Sequence, residues 1–131
     1  MSEKQVRTVI EGYEAFNRGD FDASMSFFAP DVEWRVLGQL PDARVYRGHG
    51  EVLAFFAMWR ESFEGFRIEI EQTFDAGDRV IALVAVSGEG RGSGAAVRTP
   101  THAQIWTFQD DLVTRVEMLT KREALETMQA V

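Results

Sequence analysis

In "THAQIWTF", residues 101–108, a histidine and a carboxamide stand two positions apart. In an extended strand His102, Gln104, Trp106 and Phe108 share one face, and Thr101, Ala103, Ile105 and Thr107 share the other. The next segment, "LVTRVEML", puts Val113, Arg115, Glu117 and Leu119 on a common face, expected to point inward too. A histidine opposite a carboxylate and an arginine is a workable general acid/base group. Imidazole titrates near neutrality, and a buried glutamate can be pushed towards the same range. The competing reading is structural: Arg115 and Glu117 form a cross-strand ion network at the pocket rim, and His102 satisfies a backbone group.

Other candidates carry less chemistry. His49, in "RGHGEV", sits near a helix start and reads as a solvated turn residue. Two histidines without clustered spacing, in a chain with no cysteine, imply no metal site and no disulfide framework. The run "GEGRGSG" lacks the Gly-Lys-Ser/Thr ending and following helix of a phosphate cradle, and is expected to form a hairpin tip. "RGD" at 18–20 reads as a turn between helices.

The elements that must hold these residues follow from periodicity. Ser2 and Gln5 have the form of a capping box, and Val6, Val9, Ile10, Tyr13 and Phe16 recur at helical spacing to about Asn17. Gly19 closes that helix and Asp20 caps the next, in which Phe21, Met25 and Phe28 form a stripe ended by Pro30. Val32, Trp34 and Val36 alternate with Glu33, Arg35 and Leu37 as a half-buried strand. Residues 38–48 read as a loop. Val52, Phe55, Phe56, Trp59 and Phe63 then share a helical face that stops at Gly65. Four strands follow in a meander: "FRIEIEQTF", a tight turn at "DAGD", "RVIALVAVSG", a bridge through "GEGRGSGAA" to "VRTPTHAQIWTF", and "LVTRVEML" after "QDD". Thr120 and Glu123 form a second capping box before a last helix.

This order predicts an α+β domain over residues 1–131, with a strongly bent, mostly antiparallel sheet and helices on its concave side. Fourteen basic against twenty-one acidic residues give a net charge of -7 with no basic run, which argues against nucleic acid as a partner. Charges interrupt the first sixteen residues, so no signal or membrane segment is expected there and the location is expected to be cytoplasmic. The segment 80–86 is apolar on both faces, so something must cover the outer side of the sheet. A homodimer through that face is the simplest cover.

The segments "FNRGDFDASMSFFAPDVEW", "YRGHGEVLAFFAMW", "DAGDRVIALVAVSG" and "HAQIWTFQDDLVTRVEMLTKREAL" together resemble the nuclear transport factor 2-like superfamily. Within it, the SnoaL-like branch of polyketide cyclase and ketosteroid isomerase relatives is the nearest likeness. The resemblance covers nearly the whole chain and implies a cone-shaped, cystatin-like α+β roll around an apolar pocket, and a homodimer. It places His102, Gln104 and Trp106 inside the cone. Arg115 and Glu117 are expected there too, with Glu117 supplying the acidic group of the cyclase branch. Tyr13, Phe16, Trp34, Phe55, Phe56, Trp59 and Trp106 are expected to line the same pocket as ligand contacts, although aromatic side chains at such spacings are first of all core. The isomerase roles do not carry over: its oxyanion tyrosine aligns with Gly12, its base with Val36 and its protonated aspartate with Gln104.

Three functions are consistent with this reading. The first is a small-molecule-binding protein acting, with no cofactor, as an isomerase, cyclase or lyase on an apolar carbonyl compound. His102 would be the acid/base, Arg115 and Glu117 would set its charge, and Gln104 would donate to an oxyanion. The second is a non-catalytic ligand binder. The third is a protein-interaction module whose cone is filled by its own side chains.

Overall fold

The computed structural model describes residues 2–36, 44–98 and 101–129. Helix α1 (Ser2–Arg18) closes as its sequence predicts. Gly19 is left-handed at φ +78°, its N–H donates to the Phe16 carbonyl at 2.9 Å, and the Asp20 N–H reaches back to Ala15 at 2.9 Å. These two bonds satisfy two of the last four carbonyls of the helix. Asp20 then caps α2 (Phe21–Met25), its carboxylate accepting from the Ala23 N–H at 3.2 Å.

The second helix is shorter than its stripe suggests. Phe28 and Pro30 belong to strand β1 (Phe28–Val36), where Val32, Trp34 and Val36 are buried as expected. Part of the stretch read as loop is also a strand: β2 (Arg44–Arg47) pairs antiparallel with β1, opposing Tyr46 to Trp34. Residues 37–43, including the expected strand residue Leu37, lie outside the described residues. Helix α3 (Gly48–Ser62) follows at once, and Glu51 accepts from the N–H of Arg47, the residue that precedes it. His49 is half-buried and hydrogen-bonds the Phe28 carbonyl at 3.0 Å, so it ties α3 to β1 and is not a solvated turn residue. The helix ends before Phe63, whose backbone is extended, and Trp59 stacks on that ring across the junction.

Strands β3 (Phe63–Asp75) and β4 (Arg79–Gly90) form a hairpin closed by the "DAGD" turn, in which the Gly77 N–H donates to the Asp75 carboxylate. The glycine-rich run makes the hairpin tip expected of it. It folds β4 back into β5 (Ala96–Arg98), and Arg91 at the tip bonds Glu64 and the Arg60 carbonyl. Strands β6 (His102–Gln109) and β7 (Leu112–Thr120) complete the sheet, and α4 (Lys121–Gln129) opens with the predicted reciprocal Thr120–Glu123 capping bonds.

The sheet order is β2-β1-β7-β6-β4-β3, with β5 on β4; β1 and β7 are parallel and the other neighbours antiparallel. Irregularities interrupt the β1/β7, β3/β4 and β6/β7 ladders, and such bulges bend a sheet. Helices α1 and α3 pack on one face over the main core. Helix α4 packs on the opposite face, where Ala124 joins Ile81, Leu83, Ala103 and Ile105 in a second apolar cluster. Those five side chains are buried within one chain, so α4 covers this part of the outer face.

Candidate functional site

Strict alternation along β6 sends its two faces to two different cores. Ala103 and Ile105 go to the outer cluster, while His102, Gln104 and Trp106 line a cavity of about 480 Å³ between the sheet and helices α1 and α3. Exposure falls along the strand from half-buried Thr101 through His102 to Gln104 and Trp106 at 2% each, so the cavity deepens towards Trp106. At the other end Met58, 48% exposed, lines the mouth.

All seven aromatic residues expected at the pocket line it: Tyr13, Phe16, Trp34, Phe55, Phe56, Trp59 and Trp106. They pack largely edge-to-face, Trp34 on Phe56 at 5.2 Å and Tyr13 on Trp106 at 5.2 Å, which fixes the ring planes that form the wall. Gly12 faces Trp106 directly; a Cβ there would come within 3.1 Å of the indole. The helix and the tryptophan therefore pack so closely that a side chain at Gly12 would press on the indole.

The polar groups of the floor form one buried chain. Trp106 Nε1 donates to the Tyr13 hydroxyl at 2.9 Å, and the hydroxyl donates to Gln104 Oε1 at 2.6 Å. Gln104 Nε2 lies 3.3 Å from His102 Nε2. Burial pushes the Tyr13 hydroxyl far above its ordinary range, an effect only partly offset by the Trp106 bond, so the hydroxyl stays a neutral donor.

Arg115 and Glu117 are not in the cavity. In the β6/β7 ladder Thr107 pairs with Arg115 but Phe108 pairs with Val113, so Thr114 is an extra residue in β7. That bulge breaks the alternation. Val113, Val116, Met118 and Thr120 turn inward, whereas Arg115, Glu117 and Leu119 turn to the outer face. There Arg115 and Arg47 approach Glu33, and Arg35 lies between Glu33 and Glu117. The ion-network reading holds for these two residues, on the outer face rather than at the rim. The inward slots go to Met118, whose sulfur accepts from Trp34 Nε1, and to Thr120.

Sequence reasoning missed these two residues and also Tyr46, Phe28, Phe66 and Met58, which lie on the wall as well. A signal for β7 was present: Val113, Val116 and Met118 are apolar at a spacing of three and then two, which is the mark of an inserted residue. Among the described lining residues there is no Asp, Glu, Lys or Arg, and no group of His, Asp and Glu could hold a metal ion. The positions where the isomerase resemblance seeks its three functional groups, Gly12, Val36 and Gln104, all lie on the wall. They carry a hydrogen, an isopropyl group and a carboxamide.

The model of the SnoaL-like domain matches residues 9–116. The chain belongs to the SnoaL-like domain family. Solved structures agree on the fold of this SnoaL-like domain. A nuclear transport factor 2-like protein of Burkholderia thailandensis is 27% identical, with 94% of this chain and 95% of that one covered at a TM-score of 0.76. TerC, co-crystallised with polyporic acid, is 21% identical over 98% and 99% at 0.76. A Jannaschia protein assigned as a SnoaL-like polyketide cyclase is 20% identical over 96% and 91% at 0.78. No curated protein matches the SnoaL-like domain described here. Among the described residues no helix is long and apolar enough to cross a membrane.

Proposed function

We propose that this SnoaL-like domain binds a small, flat, largely apolar carbonyl compound and moves a proton on it without a cofactor, in an isomerisation, cyclisation or dehydration. One observation carries the reading: an imidazole nitrogen and a carboxamide N–H stand 3.3 Å apart on an otherwise mostly apolar wall. A carbonyl compound needs that combination, a base for the hydrogen on the neighbouring carbon and a donor for the oxygen on which charge develops.

The step balances within the substrate and His102. His102 Nε2 takes the proton as the C–H bond breaks, the released pair forms a C=C bond, and the carbonyl pair moves onto oxygen. The Gln104 N–H that now meets Nε2 turns to that oxygen. Return of the proton to a different carbon gives an isomer, and its departure with a β-hydroxide gives water and an unsaturated ketone. The size and apolar lining of the cavity are those of ordinary small-molecule sites, and TerC, co-crystallised with polyporic acid, supports a small-molecule occupant.

A second reading, binding without turnover, is favoured by the outward turn of Arg115 and Glu117, which removes the expected partners of an imidazolium from the wall. One experiment separates the two. All three tryptophans line the cavity, so their fluorescence reports occupancy by aromatic and alicyclic ketones. Proton NMR in deuterated buffer reports exchange at the carbon next to the carbonyl. Saturable quenching with exchange that is lost in His102→Ala supports the first reading. Quenching with no exchange above the buffer rate overturns it in favour of the second, and no quenching by any ketone overturns both.

A further inference from the structure

We propose that Trp106 and Tyr13 are positioning residues that fix which end of the Gln104 amide faces His102, and so hold the imidazole as the Nδ1–H tautomer with its lone pair on Nε2. The chain of bonds runs in one direction because its first member can only donate. An indole N–H has no acceptor capacity, so the Tyr13 oxygen accepts from Trp106 and its single proton goes to Gln104 Oε1. The amide nitrogen is then the end that meets His102. A carboxamide nitrogen offers hydrogens and no lone pair, so the bond exists only if His102 Nε2 accepts.

The reverse amide orientation fails on the same count. It would set an amide N–H against the phenol oxygen, which already accepts from Trp106, and leave the hydroxyl proton without an acceptor at a site 3% exposed. Buried hydroxyl protons without partners are rare in folded proteins. Burial also keeps the Tyr13 hydroxyl protonated, so the chain does not lose its middle link near neutral pH. Gly12 packs against the indole that sets the direction, and a Cβ there would come within 3.1 Å of the ring.

The consequence rests on the proton-transfer reading. A histidine delivered as an Nε2 base begins by taking a proton from substrate rather than giving one. The amide end beside it is the nitrogen end, the one that can donate to the resulting oxyanion.

The test is long-range ¹H–¹⁵N NMR of the two imidazoles in the uniformly labelled full chain at pH 8, above the ordinary imidazole range. His49→Asn identifies the signals of His49. We expect His102 to show a protonated Nδ1 and an unprotonated Nε2. In Tyr13→Phe, checked for native near-ultraviolet circular dichroism, the two nitrogens should move towards a mixed state. Trp106→Phe should do the same by freeing the hydroxyl to turn. A protonated Nε2 in the wild-type chain overturns the proposal without any variant, and so does an unchanged tautomer in a folded Tyr13→Phe protein. The expected tautomer with no ketone exchange would defeat the proton-transfer reading alone, whereas exchange with a protonated Nε2 would defeat the positioning alone.

Discussion

Gln104 and Glu117 separate the catalytic reading from the charge network. Removing a donor aimed at a developing oxyanion costs about a hundredfold or more in rate. Gln104→Ala is therefore expected to lower ketone exchange by at least that factor, while Glu117→Gln, on the outer face beside Arg35, leaves it unchanged. Initial exchange rates of the two variants check both. Tyr13 makes a second prediction through linkage. Its folded-state pKa is raised, so the folded chain retains a proton that the unfolded chain gives up above about pH 10. Its contribution is full below pH 10, and stability falls beyond that by about 1.4 kcal/mol per pH unit. Denaturant midpoints measured from pH 8 upward should show this slope in the wild type. In Tyr13→Phe the slope should shrink, from a lower starting stability, because Trp106 and Gln104 each lose a buried partner. The inward set on β6 was legible because no residue interrupts its alternation; the chain that links it to Tyr13 spans ninety-one residues and is visible only in three dimensions.

At the scale of elements, Asn17 ties the end of the first helix to the edge of the sheet. Strand β3 closes one end of the sheet, and the Asn17 side chain supplies both bonds of a missing strand neighbour. Its Oδ1 accepts from the Ile68 N–H at 2.8 Å and its Nδ2 donates to the Ile68 carbonyl at 3.0 Å. Asn17→Ala leaves two part-buried backbone groups without these partners and should destabilise the fold by about 1–3 kcal/mol, read as a shift in denaturant midpoint. Faster amide exchange at Ile68 in the same variant would assign the loss to this link. Helix starts and stops were readable in the sequence because each depends on one or two local residues, Gly19 and Asp20 here, Thr120 and Glu123 at the last helix. The face of β7 was not, because strict alternation forecasts Arg115 and Glu117 inward until one extra residue, Thr114, reverses it. The spacing of Val113, Val116 and Met118 held that information. Two charges placed against an apolar wall were the physical objection to ignoring it.

At the scale of the whole molecule, one sheet separates two apolar compartments that alternate residues of β6 feed from opposite sides. The inner compartment encloses the cavity, and the outer one is closed by α4 through Ala124, 1% exposed against Ile81, Leu83, Ala103 and Ile105. Part of the outer face that reads as apolar in the sequence is therefore the docking surface of the chain's own last helix. The β1/β7 side of that face carries the charged cluster of Glu33, Arg35, Arg47, Arg115 and Glu117. The two compartments should respond independently to mutation. Ala124→Asp puts a carboxylate into the outer cluster, where desolvation disfavours it, and water reclaims the charge if α4 lifts away. The uncovered patch should then bind a hydrophobic dye and drive concentration-dependent association, measured by sedimentation at micromolar protein. Ketone quenching of Trp34, Trp59 and Trp106 should survive, because those rings belong to the inner face. Association with loss of quenching would show that the sheet transmits the disturbance and that the compartments are coupled. An unchanged sedimentation profile without dye binding would show that α4 is not what keeps the outer face out of water.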